Sequence, residues 1–245
     1  MFTKHIYQTK KFLDIVVNNM DNLYVANSGG KDSVVMYFIL QEMGIKLPTI
    51  HSNTTIDPDG TLKFIRETMP DTVIIHPKES FYQLVERKSF PSRWNRYCCE
   101  ILKENGSAGK NTIEGVRSEE SRTRDRDYIV CDTRKSMKGK QHIYPLLDWT
   151  EEQIWRYIRK KDLPIAPCYK LGLKRLGCVA CPLASPKVRL KELELYPRRY
   201  NAYKNAIEKG MAKNPQWKLT QFTGGVGETA MQWWLSGKPM NEFFK

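Results

Sequence analysis

The stretch "VANSGGKDSVVM", residues 25–36, decides how the rest of the chain is read. Apolar Leu23, Val25 and Ala26 lead into it, and an apolar run from Val34 to Leu40 leaves it. Between them lie Ser28, Gly29, Gly30, Lys31, Asp32 and Ser33. The pattern predicts a strand over 22–27, a tight turn, and a helix over 32–43. Two glycines let the backbone turn sharply and come close to a ligand. The helix after the turn points its first N–H groups and its positive dipole end at the same place. Two serine hydroxyls and one lysine cation complete a cradle for phosphate groups. It is not a Walker loop, because the G-x-x-x-x-G-K-[ST] spacing is absent.

Outward from this turn, strand-like and helix-like stretches alternate. "KLPTIHSN", "DTVIIHP" and "NTIEGVR" read as strands; "PDGTLKFIRETM", "SFYQLVERK" and "TEEQIWRYIRKK" read as helices, the last with Thr150 as N-cap. The first residues, "MFTKHIYQTKKFLDIVVNNM", read as an amphipathic helix. Such alternation implies an α/β, Rossmann-like domain: a mostly parallel sheet flanked by helices. After residue 185 the strand signals stop. "SPKVRLKELELYPRRYNAYKNAIEKG" reads as a helix with Ser185 as cap, Pro186 in the first turn and Gly210 as stop, and "GETAMQWWLSG" reads as another. The expected organisation is a nucleotide-binding domain over 1–185 and a helical, basic C-terminal subdomain over 186–245. "RKSMKGKQ", residues 134–141, reads as a mobile basic loop.

With 40% apolar residues, 245 positions can build a sizeable core. No apolar run approaches the ~18 residues of a membrane span, and no signal-peptide pattern opens the chain, so the expected location is the cytoplasm, with no membrane partner. The net charge is +13, and residues 156–213 hold 15 Lys/Arg against 4 Asp/Glu. That block suits a polyanion such as tRNA or DNA, with Tyr157, Tyr196, Tyr200 and Tyr203 as base-stacking residues; it also suits a solvated helix face.

The six cysteines are Cys98, Cys99, Cys131, Cys168, Cys178 and Cys181. In a cytosolic chain, paired cysteines read as metal ligands before disulfides. Cys98 and Cys99 with Cys178 and Cys181 offer four thiolates from two loci, enough for a [4Fe–4S] cluster or one Zn²⁺. An adjacent Cys-Cys pair is unusual for zinc. Cys168 is a possible substitute for one tandem partner, and Cys131 reads as core.

"SGGKDS" resembles the pyrophosphate-binding loop of the ATP pyrophosphatases, the PP-loop superfamily. "NTTIDPDGTLKFI", "RYCCEILK", "GVRSEESRTR", "YPLLDWTEEQIWRYI" and "KLGLKRLGCVACPLAS" resemble the phosphoadenosine phosphosulfate reductase family within it, in matching order over about residues 23–185. The resemblance implies an adenine nucleotide alpha hydrolase-like fold. It implies that Ser28, Gly29, Gly30, Lys31, Asp32 and Ser33 bind the β- and γ-phosphates of ATP, that Asp32 helps hold Mg²⁺, and that Arg117, Arg122 and Arg124 grip phosphate or sulfate oxygens. Glu119, Glu120 and Asp125 read as neutralising partners of those arginines. Lys31, Asp32 and Arg117 are the expected catalytic side chains. It also implies a [4Fe–4S] cluster on Cys98, Cys99, Cys178 and Cys181, an adenine nucleotide as partner, and a sulfur-donor protein.

Two departures from the reductases stand out. Their mobile cysteine in a Glu-Cys-Gly-Leu-His stretch has no counterpart after Cys181, and their degraded loop is intact here. Both favour ATP, and with it adenylation of an acceptor followed by sulfur transfer. The alternatives are a sulfonucleotide reductase and a nucleic-acid-binding module that retains a nucleotide site.

Overall fold

The computed structural model describes residues 2–104, 111–120, 131–132, 141–214 and 226–243. The chain divides into two compact units that interleave along the sequence. The first is Met1–Ser52, Gly60–Ile75 and Gly106–Leu176; the second is Asn53–Asp59, His76–Asn105 and Gly177–Lys245.

The first unit holds the sheet. Its strands are β1 (Leu23–Ala26), β2 (Thr49–Ser52), β3 (Thr72–Ile75), β4 (Asn111–Ile113), β5 (Cys131–Asp132) and β6 (His142–Ile143), in the order β3-β2-β1-β4-β6-β5. Five run parallel, and β5 is antiparallel to β6. Val25 pairs with Thr49 on one side and Ile113 on the other, so β1 is central. The alternating pattern of the sequence is therefore a parallel sheet, as expected. The two-residue strands β5 and β6 are too short to leave a periodic signal, and the sequence reading lacks them.

Helix Lys31–Glu42 comes after β1 and is apolar on most sides, as an element inside a layered core must be. Its Val35, Met36 and Ile39 pack with Leu13 and Val16 of helix Phe2–Asn19, with Ile113 and Ile143 of the sheet, and with Trp149, Ile154 and Tyr157. Trp149 satisfies its buried indole by donating to Thr9 Oγ1 at 2.9 Å. Helix Glu151–Lys160 begins at Thr150, which forms a capping box with Gln153; Glu151 and Glu152 occupy its first turn, and Arg159 and Lys160 its last, each matching the dipole.

The second unit is helical in its described residues. Helix Phe81–Lys88 starts from a Ser80–Gln83 capping box. Tandem Cys98 and Cys99 lie in a single α-turn, Tyr97–Cys99, that runs into a π-helical turn over Glu100–Glu104. The core is aromatic: Phe90 stacks on Trp234 at 4.9 Å, and Tyr203 meets Phe81 edge-on at 5.1 Å.

One sequence expectation fails here. Residues 186–210 are not one helix stopped at Gly210. The chain forms helices Pro186–Leu195 and Pro197–Lys213, with Gly210 buried inside the second. The break is at Tyr196, because a proline ring disfavours helical backbone in the residue before it. Ser185 does cap the first of the two, accepting from Val188 N. Of "RKSMKGKQ", residues 134–140 lie outside the described residues. No helix among the described residues is long and apolar enough to cross a membrane.

Candidate functional site

The sheet order places a topological switch beside β1. From β1 the chain builds outward through β2 and β3, then returns to β4 on the other side. In open parallel sheets, ligands bind outside the carboxyl ends of the two strands where the winding reverses. Those two strands are β1 and β4 in this sheet. The serine–glycine turn leaves the end of β1, and the segment Glu114–Arg117 leaves the end of β4.

The turn is held by its own side chains. Gly29 is left-handed, with φ +75, a conformation that favours glycine, and a Cβ there would stand 3.1 Å from the Ile65 side chain, which would have to give by a few tenths of an ångström. Gly29 N donates to Asn27 Oδ1 at 2.8 Å, Gly30 N to Ser28 Oγ at 3.2 Å, and Ser28 N to Ser33 Oγ at 3.2 Å. The Ser28 and Ser33 hydroxyls are 2.9 Å apart. Lys31 N donates to the Tyr169 hydroxyl at 2.9 Å.

Around the helix start lies a charge network. The Lys31 side chain is only 5% exposed; its Nζ is 3.4 Å from Asp32 Oδ2 and 3.6 Å from Glu151 Oε1. Arg117, 3% exposed, donates from Nε to Asp32 Oδ1 at 2.6 Å and from Nη1 to Glu119 Oε2 at 2.8 Å. Glu119 Oε2 also accepts from Glu151 N at 2.5 Å. Burial works against the charge of Arg117, but Asp32 and the neighbouring glutamates outweigh it and hold the guanidinium charged. Two cations thus converge on one carboxylate at the end of β1.

The structure accordingly brings together Ser28, Gly29, Gly30, Lys31, Asp32, Ser33 and Arg117. Glu119 neutralises Arg117, as the sequence reading allowed. Arg122, Arg124 and Asp125 lie outside the described residues. The sequence does not single out Tyr169, Glu151 or Gly115 as site residues; they join the site through the fold.

The second unit gathers the cysteines. Cys98, Cys99, Cys178 and Cys181 are all thiols and half-buried. A hydrogen bond with Cys99, then burial, then the charges of Cys99, Cys178 and Cys181 push the Cys98 thiol up, so the four sulfurs feel one another. Burial pushes the Cys178 thiol up against the pull of Lys103, whose ammonium hydrogen-bonds to it. As they stand, the described residues contain no group of three or more His, Cys, Asp or Glu side chains arranged to hold a metal ion. Cys168 is buried and belongs to the first unit, apart from this quartet in the chain's division. The side chain of Cys131 lies outside what is described.

The C-x-x-C turn is firmly seated. Ala180 has φ +56, and its N–H donates to Glu192 Oε2 at 2.7 Å. Val179 N donates to Ile56 O at 2.9 Å, and the Tyr203 hydroxyl donates to Val179 O at 2.9 Å. Arg199 binds the segment opposite, donating to Thr55 O at 2.8 Å and Asp57 O at 3.0 Å. Thr54 of that segment bonds Cys178.

The base-stacking expectation fails for Tyr157, Tyr196 and Tyr203. Tyr157 and Tyr203 are 0% exposed and Tyr196 is 5% exposed, all core residues. Tyr200 donates to Glu228 Oε1 at 2.5 Å. Helical spacing put Tyr157 and Tyr203 on inward faces, a fact composition cannot reveal.

Residues 22–184 match the phosphoadenosine phosphosulfate reductase domain. An uncharacterised protein of Methanocaldococcus jannaschii is 27% identical over 212 residues, 82% of this chain and 51% of that one, so the chain spans about half the length of that relative. An adenosine 5'-phosphosulfate reductase of Bacillus mycoides is 27% identical over 176 residues, 66% of this chain and 74% of that protein. Among solved structures, phosphoadenylyl-sulfate reductase from Candida auris superposes with a TM-score of 0.57 at 20% identity, over 70% of this chain and 88% of its own. FMN adenylyltransferase from Candida glabrata, bound to FMN and an ATP analogue, superposes at 0.56 and 20% identity, over 73% and 64%. These two speak to the fold, which is the adenine nucleotide alpha hydrolase-like one. On the match of its sequence, with a sheet of that fold beneath it, the chain belongs to the phosphoadenosine phosphosulfate reductase family.

Proposed function

We propose that the chain is an ATP pyrophosphatase that adenylates an acceptor for sulfur transfer. The observation that carries this reading is the intact Ser28–Ser33 turn at the switch point, with Lys31 and Arg117 both engaged by Asp32. An acceptor oxygen attacks the α-phosphorus of ATP, and the bond from that phosphorus to the oxygen bridging to the β-phosphate breaks. Pyrophosphate leaves with its electron pair, and the acceptor keeps AMP. A sulfur nucleophile supplied by a donor protein then forms a bond to the acceptor carbon and expels AMP. In this scheme the turn and Lys31 hold the β- and γ-phosphates as they become pyrophosphate, and Arg117 steadies the α-phosphate. The paired cations are offset by Asp32, Glu119 and Glu151; Mg²⁺ arriving with ATP would supply further positive charge, with Asp32 as the residue that would help hold it.

Four soft sulfur donors in one unit have the chemistry of a [4Fe–4S] ligand set, Cys98, Cys99, Cys178 and Cys181, although no three of them are arranged to hold a metal as they stand; Zn²⁺ is the alternative. A cluster on all four cysteines supplies a closed redox centre, and one on three supplies an iron open to exogenous sulfur.

The test is anaerobic incubation with ATP and Mg²⁺, and separately with phosphoadenosine phosphosulfate and thioredoxin. Pyrophosphate release from ATP supports the reading; consumption of the sulfonucleotide alone replaces it with a reductase. Iron and sulfide counts in the four single Cys→Ser variants decide the ligands. Loss in all four supports the closed centre, retention in Cys98→Ser or Cys99→Ser supports three ligands, and zinc without iron rejects the cluster.

A polyanionic acceptor is a second element of the reading. Trp94 is 97% exposed, between exposed Arg93 and Arg96, in the same unit as the cysteines. An exposed ring flanked by guanidinium groups is a platform for an unstacked base. A tRNA gel shift that weakens steeply with salt and disappears in Trp94→Ala supports it; no shift at low salt removes it.

A further inference from the structure

Tyr169 touches the turn, and neither the motif nor the spacing announces it. It sits in the short helix Pro167–Lys170, and its ring meets Trp155 edge-on at 5.4 Å. Its hydroxyl oxygen accepts from Lys31 N at 2.9 Å and from the backbone N–H of Leu176. The same oxygen lies 3.5 Å from where a Cβ on Gly30 would be, and Lys31 Nζ is 6.0 Å from the ring centroid. The hydroxyl is therefore on the face of the turn that carries the lysine and the free helix end.

A phenol oxygen accepts two hydrogen bonds and donates one. Both accepting positions are taken by backbone N–H groups. Its own proton is thereby aimed away from them. Burial pushes the phenol well above its ordinary range, so that proton stays in place at any physiological pH.

We infer that Tyr169 is a further phosphate-binding residue of this site, donating its hydroxyl proton to a phosphate oxygen held over Lys31. This rests on the proposed reading of the turn as a pyrophosphate site. Tyr169 thus extends the cradle from a chain segment about 140 positions beyond the turn. Its two N–H bonds fix the oxygen, so the donor needs no reorganisation when the anion arrives.

The test is calorimetry with Mg²⁺–ATP, Mg²⁺–pyrophosphate and adenosine on the wild-type chain and Tyr169→Phe, which keeps the ring against Trp155. The expected result is roughly tenfold weaker binding of ATP and pyrophosphate in the variant, with adenosine unchanged. Unloading the Lys31 amide alone would free a donor for phosphate and tighten binding. Equal or tighter pyrophosphate binding in Tyr169→Phe overturns the inference, as does a parallel loss for adenosine. If the wild-type chain binds neither ATP nor pyrophosphate, the reading of the turn falls, and this inference with it.

Discussion

Gly115 lies directly against the backbone of Asp32: a Cβ built on it would stand 2.9 Å from the Asp32 carbonyl carbon and 3.0 Å from its oxygen. The loop after β4 is thereby pressed onto the first turn of the helix after β1. Asp32 and Arg117 can then meet at 2.6 Å. Gly115→Ala must push these segments apart, because the obstructing atoms are backbone. We expect a loss of about 1–3 kcal/mol in unfolding free energy and, on the proposed reading of the turn, weaker ATP binding, measured by chemical denaturation and calorimetry. Unchanged stability and affinity would show that the contact carries no constraint.

The Asp32–Arg117 pair itself is measurable. Both groups are largely removed from water, and Arg117 also holds Glu119. A double-mutant cycle with Asp32→Ala and Arg117→Ala should give a coupling of roughly 1–3 kcal/mol. Arg117→Lys should recover only part of it, since lysine cannot span two carboxylates with a rigid fork. Additive single variants would mean that the pair is not energetically coupled.

Arg199 ties down the segment Asn53–Asp59 through two carbonyl groups and Asp59. Arg199→Ala leaves those carbonyls without the guanidinium, at a cost of about 1–3 kcal/mol. Because Thr54 of this segment bonds Cys178, iron content after anaerobic purification should fall in parallel on the proposed reading of the cysteines as cluster ligands. Full iron loading in a destabilised Arg199→Ala would separate the segment from the cysteine site.

Glu42 gives a pH signature far from the site. It sits among Lys10 at 2.8 Å, Lys161 at 2.9 Å and the Tyr157 hydroxyl at 2.8 Å. Burial alone would raise its pKa, but these partners overcome it and bring the carboxyl down from 4.5 to about 2. A carboxyl depressed in the folded state stabilises fully above its unfolded value and loses that contribution as pH falls toward the folded one. Partial exposure limits the effect to about 1 kcal/mol. Glu42→Gln should therefore be less stable than wild type at pH 7 and nearly equal to it near pH 2. A difference that is constant with pH would reject the electrostatic origin.

Much of this protein is determined by its sequence. Alternating apolar runs with Gly, Ser and Thr at their ends encode the βα units, since each run is long enough to bury a face and each cap satisfies local N–H groups. Thr150 and Ser185 cap as their positions predict. The turn over 28–33, proposed to hold phosphates, is legible because glycine, hydroxyl and lysine chemistry is confined to six adjacent residues. The family is legible in the order of its motifs. Only the tertiary structure decided what depends on distant segments meeting. It put Tyr169, Glu151 and Gly115 around the turn, and it made Arg117 share Asp32 with Lys31. It turned three of the four tyrosines proposed for base stacking into core. Periodicity reports which side of a helix is apolar. It does not report which residues from the other end of the chain will arrive there, because that is settled by sheet order and by the packing of whole elements.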